Sequence, residues 1–206
     1  MEAAVKPTFA EASRDLLRET VLDAVGELAA ERPWSEVKMA DVAQVAGVSR
    51  QTLYNTFGSR QEMAQAYVLR EGDRFVAAVE SAIRSNAPDA QAALRSAVEV
   101  FLLAAETHPV IRAVVASGGA GDEFLPLLTT RGGPLVAEVT DRLGQIVVES
   151  WPGVPEREAA VIADCLARLA ISHAALPADR PDRTAKAIAE VLGPYLDGVI
   201  RELGQA

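Results

Sequence analysis

Hydrophobic positions recur along this chain at helical spacing, and the runs are separated by Gly, Pro, Ser and Asp. Leu17, Val21, Ala24, Val25 and Leu28 follow the 3.6-residue period, which predicts a helix over 13–31 stopped by Pro33. Residues 1–12 lack that period and read as frayed. Two short helices come next: Val42, Ala43 and Ala46 put a small apolar stripe on the first, and Leu53 and Phe57, four apart, share a face of the second. Met63, Tyr67, Phe75, Val79 and Ile83 predict a long helix over 59–85, ended by Asn86-Ala87-Pro88-Asp89. Further helices are predicted over 90–107, 110–116, 134–151, 155–175 and 180–203, with a short apolar piece at 123–129. The pattern is that of an all-α chain of about nine helices.

The corner between the two short helices carries the most chemistry. Gly47 stands where a left-handed residue is wanted, because glycine takes positive φ without a steric penalty. Val48 can plug the corner, and Ser49 is a favoured N-cap for the second helix. With Leu53 and Phe57 inward, Arg50, Gln51, Thr52, Asn55 and Thr56 face outward, with Tyr54 near the edge. Gly58 can end this helix, and Ser59-Arg60-Gln61-Glu62 matches a capping box whose free N–H groups suit a phosphate. A donor-rich helix set across a glycine turn is the geometry that enters the major groove of DNA. Plain helical cores contain similar corners; the polar outer face and the second cap favour DNA.

Composition narrows the alternatives. The chain has 206 residues, enough for one large or two modest domains with a true core. No uncharged apolar run reaches the ~18 residues of a membrane span, and the N-terminus lacks the pattern of a secretory signal, so a cytoplasmic protein is expected. Cys165 is the single cysteine, which excludes an internal disulfide; its spacing with Ile162, Leu166 and Leu169 reads as a buried thiol. Two histidines, His108 and His173, lie 65 positions apart, and no Gly-rich phosphate loop is present. Neither a nucleophile–base pair nor a metal cluster is legible, so no enzyme, metal or cofactor is expected. The net charge is −9, awkward for a DNA binder. Residues 1–70 hold 8 basic and 10 acidic side chains, and residues 71–206 hold 12 and 19. The acid is concentrated away from the corner, so the cations that matter are local: Lys38, Arg50 and Arg60.

From about Leu16 to Val68 the chain resembles the tetracycline-repressor (TetR) family of bacterial transcription regulators. The resemblance is carried by the helix Leu16 to Ala30, Trp34-Ser35, Asp41-Val42-Ala43, Ala46-Gly47-Val48-Ser49, Thr52-Leu53-Tyr54 and Phe57. It implies base or phosphate contacts for Arg50, Gln51, Thr52, Tyr54 and Asn55, beside the capping Ser49, with Arg60 as a phosphate clamp. Lys38 departs from the family's usual Ser or Thr cap; its ammonium is left for a phosphate. The implied organisation is a three-helix DNA-binding domain at 13–70, with the helix-turn-helix at 38–57, followed by a ligand-binding and dimerisation domain at 71–206. A homodimer through 155–175 and 180–203 would present two recognition helices ~34 Å apart, or a multiple of it, to a palindromic operator.

The apolar middle of the chain would then hold a small hydrophobic or amphipathic effector. Candidate contacts are Phe75, Phe101, His108, Phe124, Leu128, Val139, Leu143 and His173, with 123–131 as a lid. Their spacing suits a pocket wall and a plain core equally. The sequence therefore reads as a ligand-responsive repressor of double-stranded DNA, the alternative being a helical interaction module or a ligand-independent regulator.

Overall fold

Local hydrogen bonds set where the helices of this chain begin. In a computed structural model, described at residues 8–108 and 132–203, Thr8 Oγ1 accepts the Glu11 N–H at 3.3 Å and the Glu11 carboxylate accepts the Thr8 N–H at 2.8 Å. This reciprocal cap starts α1 (Phe9–Glu31) four residues ahead of the expected Ser13. The segment read as frayed is helical from Phe9 on, because a polar cap needs no apolar period. A short 3-10 turn (Trp34–Glu36) leads to α2 (Met39–Val45) and α3 (Arg50–Phe57). Then come α4 (Arg60–Ser85) and α5 (Ala90–Thr107), the latter capped by Asp89, which accepts the Ala92 N–H at 2.9 Å. The last three are α6 (Gly132–Ser150), α7 (Glu156–Ala175) and α8 (Pro181–Leu203). The described residues are helical, with no strand among them. The predicted 110–116 helix, the 123–131 lid, Phe124 and Leu128 lie outside the described residues.

The chain divides into two compact units between Arg70 and Glu71, within α4. In the first unit, Val21, Leu22 and Val25 of α1 are buried with Val42, Leu53, Met63 and Tyr67. Each such side chain contributes roughly 1.5–3 kcal/mol of transfer free energy. Gly26 lets α1 lie close to Tyr67, since a Cβ there would come within 3.3 Å of its ring.

The second unit is built around Val76, Val79, Ile83, Leu94, Val98, Ile146, Ile162, Ile188 and Leu196. α8 packs mainly on α5, and α6 on α7. Gly193 allows the first contact: a Cβ there would lie 3.1 Å from Gln91. Trp151 Nε1 donates to the Ala87 carbonyl at 2.8 Å, tying the end of α6 to the α4–α5 turn. Cys165 is exposed, against expectation. α7 buries Ala159, Ile162, Ala163, Leu166 and Ala170, and that face leaves Cys165 on the outer side with the exposed Val161. Apolar neighbours at helical spacing did not distinguish the two faces of an alanine-rich helix.

Candidate nucleic-acid interface

The turn between α2 and α3 is a Schellman motif. Val48 N–H donates to the Ala43 carbonyl at 2.9 Å and Gly47 N–H to the Gln44 carbonyl at 3.3 Å, with Gly47 at φ +68°. The turn thus ends α2 and aims the next residues into α3. Ser49 Oγ accepts the Thr52 N–H at 3.0 Å and shares a 2.8 Å hydrogen bond with the Thr52 hydroxyl. Ser49 and Thr52 therefore satisfy each other and fix the start of α3. Lys38 precedes α2 without capping it; the Asp41 carboxylate accepts the Lys38 N–H at 3.0 Å and pairs with Arg32 at 2.8 Å.

α3 ends as abruptly as it begins. Gly58 has φ +76° and ψ −63°, and Ser59 N–H donates across it to the Phe57 carbonyl at 2.9 Å. This is a γ-turn of the strained hand, which glycine tolerates. Ser59 Oγ then accepts the Glu62 N–H at 3.1 Å and starts α4.

Between these two turns α3 presents one buried and one open face. Leu53 and Phe57 are 0% and 6% exposed. Arg50, Gln51, Tyr54 and Asn55 all face solvent. Gln51 Nε2 donates to Asn55 Oδ1 at 3.0 Å, which pre-orients two amides of the kind that pair with base edges. The Arg50 and Lys38 side chains are exposed and make no hydrogen bond or ion pair among the described residues. An open, donor-rich helix face flanked by uncommitted cations is what groove recognition and phosphate contact require.

Arg60 differs from expectation. It is partly buried; Nε donates to the Val37 carbonyl at 2.9 Å, Nη2 donates to the Trp34 carbonyl, and the guanidinium lies 4.7 Å from the Trp34 ring centroid. The structure shows a staple between the start of α4 and the 34–37 link that leads into α2. The sequence carried no signal for this, because the two acceptors are backbone carbonyls 23 and 26 residues away.

In the second unit, Phe75 and Phe101 meet edge-to-face, 5.7 Å between centroids at 67°. His108 Nε2 lies 3.0 Å from Glu71 Oε2, and Arg74 lies 3.4 Å from the other Glu71 oxygen. His108 Nδ1 is buried without a hydrogen-bond partner among the described residues. Phe75 lies four residues after Glu71 on α4, and Phe101 seven residues before His108 at the end of α5. Val139 packs on the core edge and Leu143 is 8% exposed within it. His173 is half-buried on α7. None of these residues lines the open groove of about 630 Å³ formed by Glu99, Leu103, Glu106 and residues 177–182. Sequence reasoning missed Glu71, whose carboxylate is buried; a lone glutamate on a long helix carries no signal of a histidine partner 37 residues on.

The comparisons with known proteins agree with this geometry. Residues 21–67 match the family described as bacterial regulatory proteins, tetR family, and residues 89–194 match the bacterial tetracyclin repressor C-terminal domain. The HTH-type transcriptional regulator AlkX of Mycobacterium tuberculosis is 34% identical over 194 residues, 93% of this chain and 92% of that protein. The chain belongs to the TetR family. Among solved structures, the TetR family repressor AlkX from Dietzia sp., implicated in biodegradation of n-alkanes, is 40% identical, with TM-score 0.68 over 87% of this chain and 97% of that one. A TetR-family regulator from Streptomyces coelicolor shares the fold at 14% identity and TM-score 0.60. TetR regulators bind DNA operators and dimerise, and this chain is accordingly a DNA-binding transcriptional regulator, in a family that is not enzymatic. No described helix is long and apolar enough to cross a membrane.

Proposed function

We propose that this TetR regulator is a repressor that reads a palindromic operator through Arg50, Gln51, Tyr54 and Asn55. Lys38 supplies a phosphate contact, Ser49 and Thr52 hold the N-terminus of α3 for phosphate or base approach, and Arg60 positions the motif. The observation that carries this reading is the open face of α3, held between two glycine turns with its cation uncommitted.

The effector is a small, largely apolar molecule bound in the second unit. Phe75 and Phe101 supply the apolar wall, and His108, with one ring nitrogen on Glu71 and the other without a partner among the described residues, supplies a polar end. Val139, Leu143 and His173 complete the set, with Phe124 and Leu128 as further candidates. The Dietzia relative is a repressor implicated in n-alkane biodegradation, and this supports a hydrocarbon-related effector. Induction requires the effector to prefer the DNA-incompetent state; a 100-fold preference corresponds to about 2.7 kcal/mol of coupling.

Dimerisation through 155–175 and 180–203 is supported by apolar side chains exposed on the last two helices. Val191 is 72% exposed and Tyr195, one turn on, 47%. Ile162, Leu166 and Ile188, within the same two segments, are buried inside their own unit. Val161, Val191 and Tyr195 are thus the stronger candidates for the partner-facing set.

Native mass spectrometry of the protein as purified from cells tests both halves of this reading. A dimer carrying a retained apolar small molecule supports it. A monomer, or a dimer whose DNA affinity is unmoved by alkanes and their oxidised derivatives, contradicts it.

A further inference from the structure

The described part of the first unit contains seven cationic side chains: Arg14, Arg18, Arg32, Lys38, Arg50, Arg60 and Arg70. Three are committed within the fold. Arg32 pairs with Asp41 at 2.8 Å, Arg70 with Asp23 at 2.8 Å and Glu19 at 3.2 Å, and Arg60 with backbone carbonyls. Lys38 and Arg50 flank the open face already described. Arg14 and Arg18 remain, both exposed on α1, with no ion pair among the described residues.

Helix phase places these two. At 3.6 residues per turn, Arg14 and Arg18 share the face of α1 that later buries Val21 and Val25, 1% and 0% exposed. The same face therefore packs on the core in the second half of α1 and carries cations in the first half. The opposite face carries the exposed Phe9 and Leu16. Arg18 lies with its guanidinium 4.9 Å from the ring centroid of Phe57, the last residue of α3. Phe57 is 6% exposed, so Arg18 roofs it and is held at the C-terminal end of that helix. A guanidinium stacked on a ring uses its face and keeps its edge donors for a phosphate. Glu11 lies on the Arg14 side, but its carboxylate is engaged by the Thr8 N–H and hydroxyl, both at 2.8 Å. Asp15 sits on the neighbouring stripe and is not paired with either arginine.

We propose that Arg14 and Arg18 form a second DNA contact, a phosphate clamp on the backbone flanking the segment that α3 reads. The inference rests on α3 lying in the major groove. It adds that the footprint extends past the groove through α1, and that the early start of α1 serves to present Arg14. The contact is to phosphates alone, so it adds affinity and salt dependence without base preference.

The test uses the full-length protein and a duplex that it selects from a random 30-base-pair library, followed by fluorescence anisotropy across a series of KCl concentrations. Each lost phosphate contact lowers the slope of log affinity against log salt by about 0.9. Arg14→Ala or Arg18→Gln should each lower it by about 1.8 per dimer, and the double variant by about 3.6. The affinity loss should be the same on an unrelated duplex, and shortening the flanks of the selected duplex should erase the difference between wild type and the double variant. An unchanged slope in Arg14→Ala, whose side chain is exposed and makes no ion pair among the described residues, together with no effect of flank length on the wild type, overturns the clamp. If the wild-type protein selects no duplex, the reading of α3 falls and the clamp falls with it; an unchanged slope on a tight wild-type complex overturns the clamp alone.

Discussion

Replacing Arg60 by lysine separates a staple from a phosphate clamp, because lysine keeps the charge and loses the fork. Arg60 makes two charge-assisted hydrogen bonds to carbonyls of the 34–37 link and lies on Trp34, which is 3% exposed. A hydrogen bond to a charged group is worth roughly 1.5–3 kcal/mol, and the ring contact about 0.5–1 kcal/mol at a partly exposed site. A lysine ammonium can keep one of the two hydrogen bonds, so Arg60→Lys should cost about 2 kcal/mol. If the first unit unfolds as its own small domain, that is a fall in its midpoint on the order of 8–16 °C. The assay is urea and thermal unfolding followed by Trp34 fluorescence in a Trp151→Phe background, which leaves Trp34 as the single tryptophan of the chain. The urea m value should be unchanged while the midpoint falls. Wild-type stability in Arg60→Lys, combined with a lower salt slope in Arg60→Ala, would refute the staple and restore Arg60 to the DNA.

Three further outcomes follow from the same geometry. Gly58→Ala should destabilise the first unit by about 1–3 kcal/mol in urea, because alanine must adopt a strained positive φ there; the nearby Glu62 carboxylate, 2.5 Å from the added Cβ, can swing away. Leu53→Ala removes a side chain that is 0% exposed and should cost about 2–5 kcal/mol, with operator affinity lost at temperatures where the variant still keeps most of its helical circular dichroism. The Thr8 backbone N–H, then its hydroxyl, hold the Glu11 carboxyl below its usual range. A lowered carboxylate pKa stabilises the fold at neutral pH and is lost as pH falls through it. Amide protection of residues 9–12 should therefore decline on acidification, and Glu11→Gln should flatten that dependence.

The all-α architecture and the recognition corner were readable from sequence, because both rest on local rules. The 3.6 period of Val21, Val25 and Leu28 marked α1, and Gly47 with Ser49 marked the turn into α3, which the Schellman bonds confirm. What stayed illegible depends on distant partners. Arg60 looked like a free cation because its acceptors are carbonyls on the far side of the motif. Cys165 looked buried because alanine and leucine occupy both sides of α7. Glu71 passed unnoticed because its partner His108 lies 37 residues on. The beginning of α1 was missed because its signal is the polar Thr8–Glu11 cap and not an apolar period.

The claim at the centre of this account is that the open face of α3 reads DNA. Anisotropy titration of the selected duplex with wild type, Arg50→Ala and Tyr54→Ala addresses it directly. The account predicts an enriched sequence with two-fold symmetry, and a loss of preference for it over an unrelated duplex of about 1–3 kcal/mol per altered half-site contact. Equal preference in wild type and both variants, with all three still folded, would contradict it.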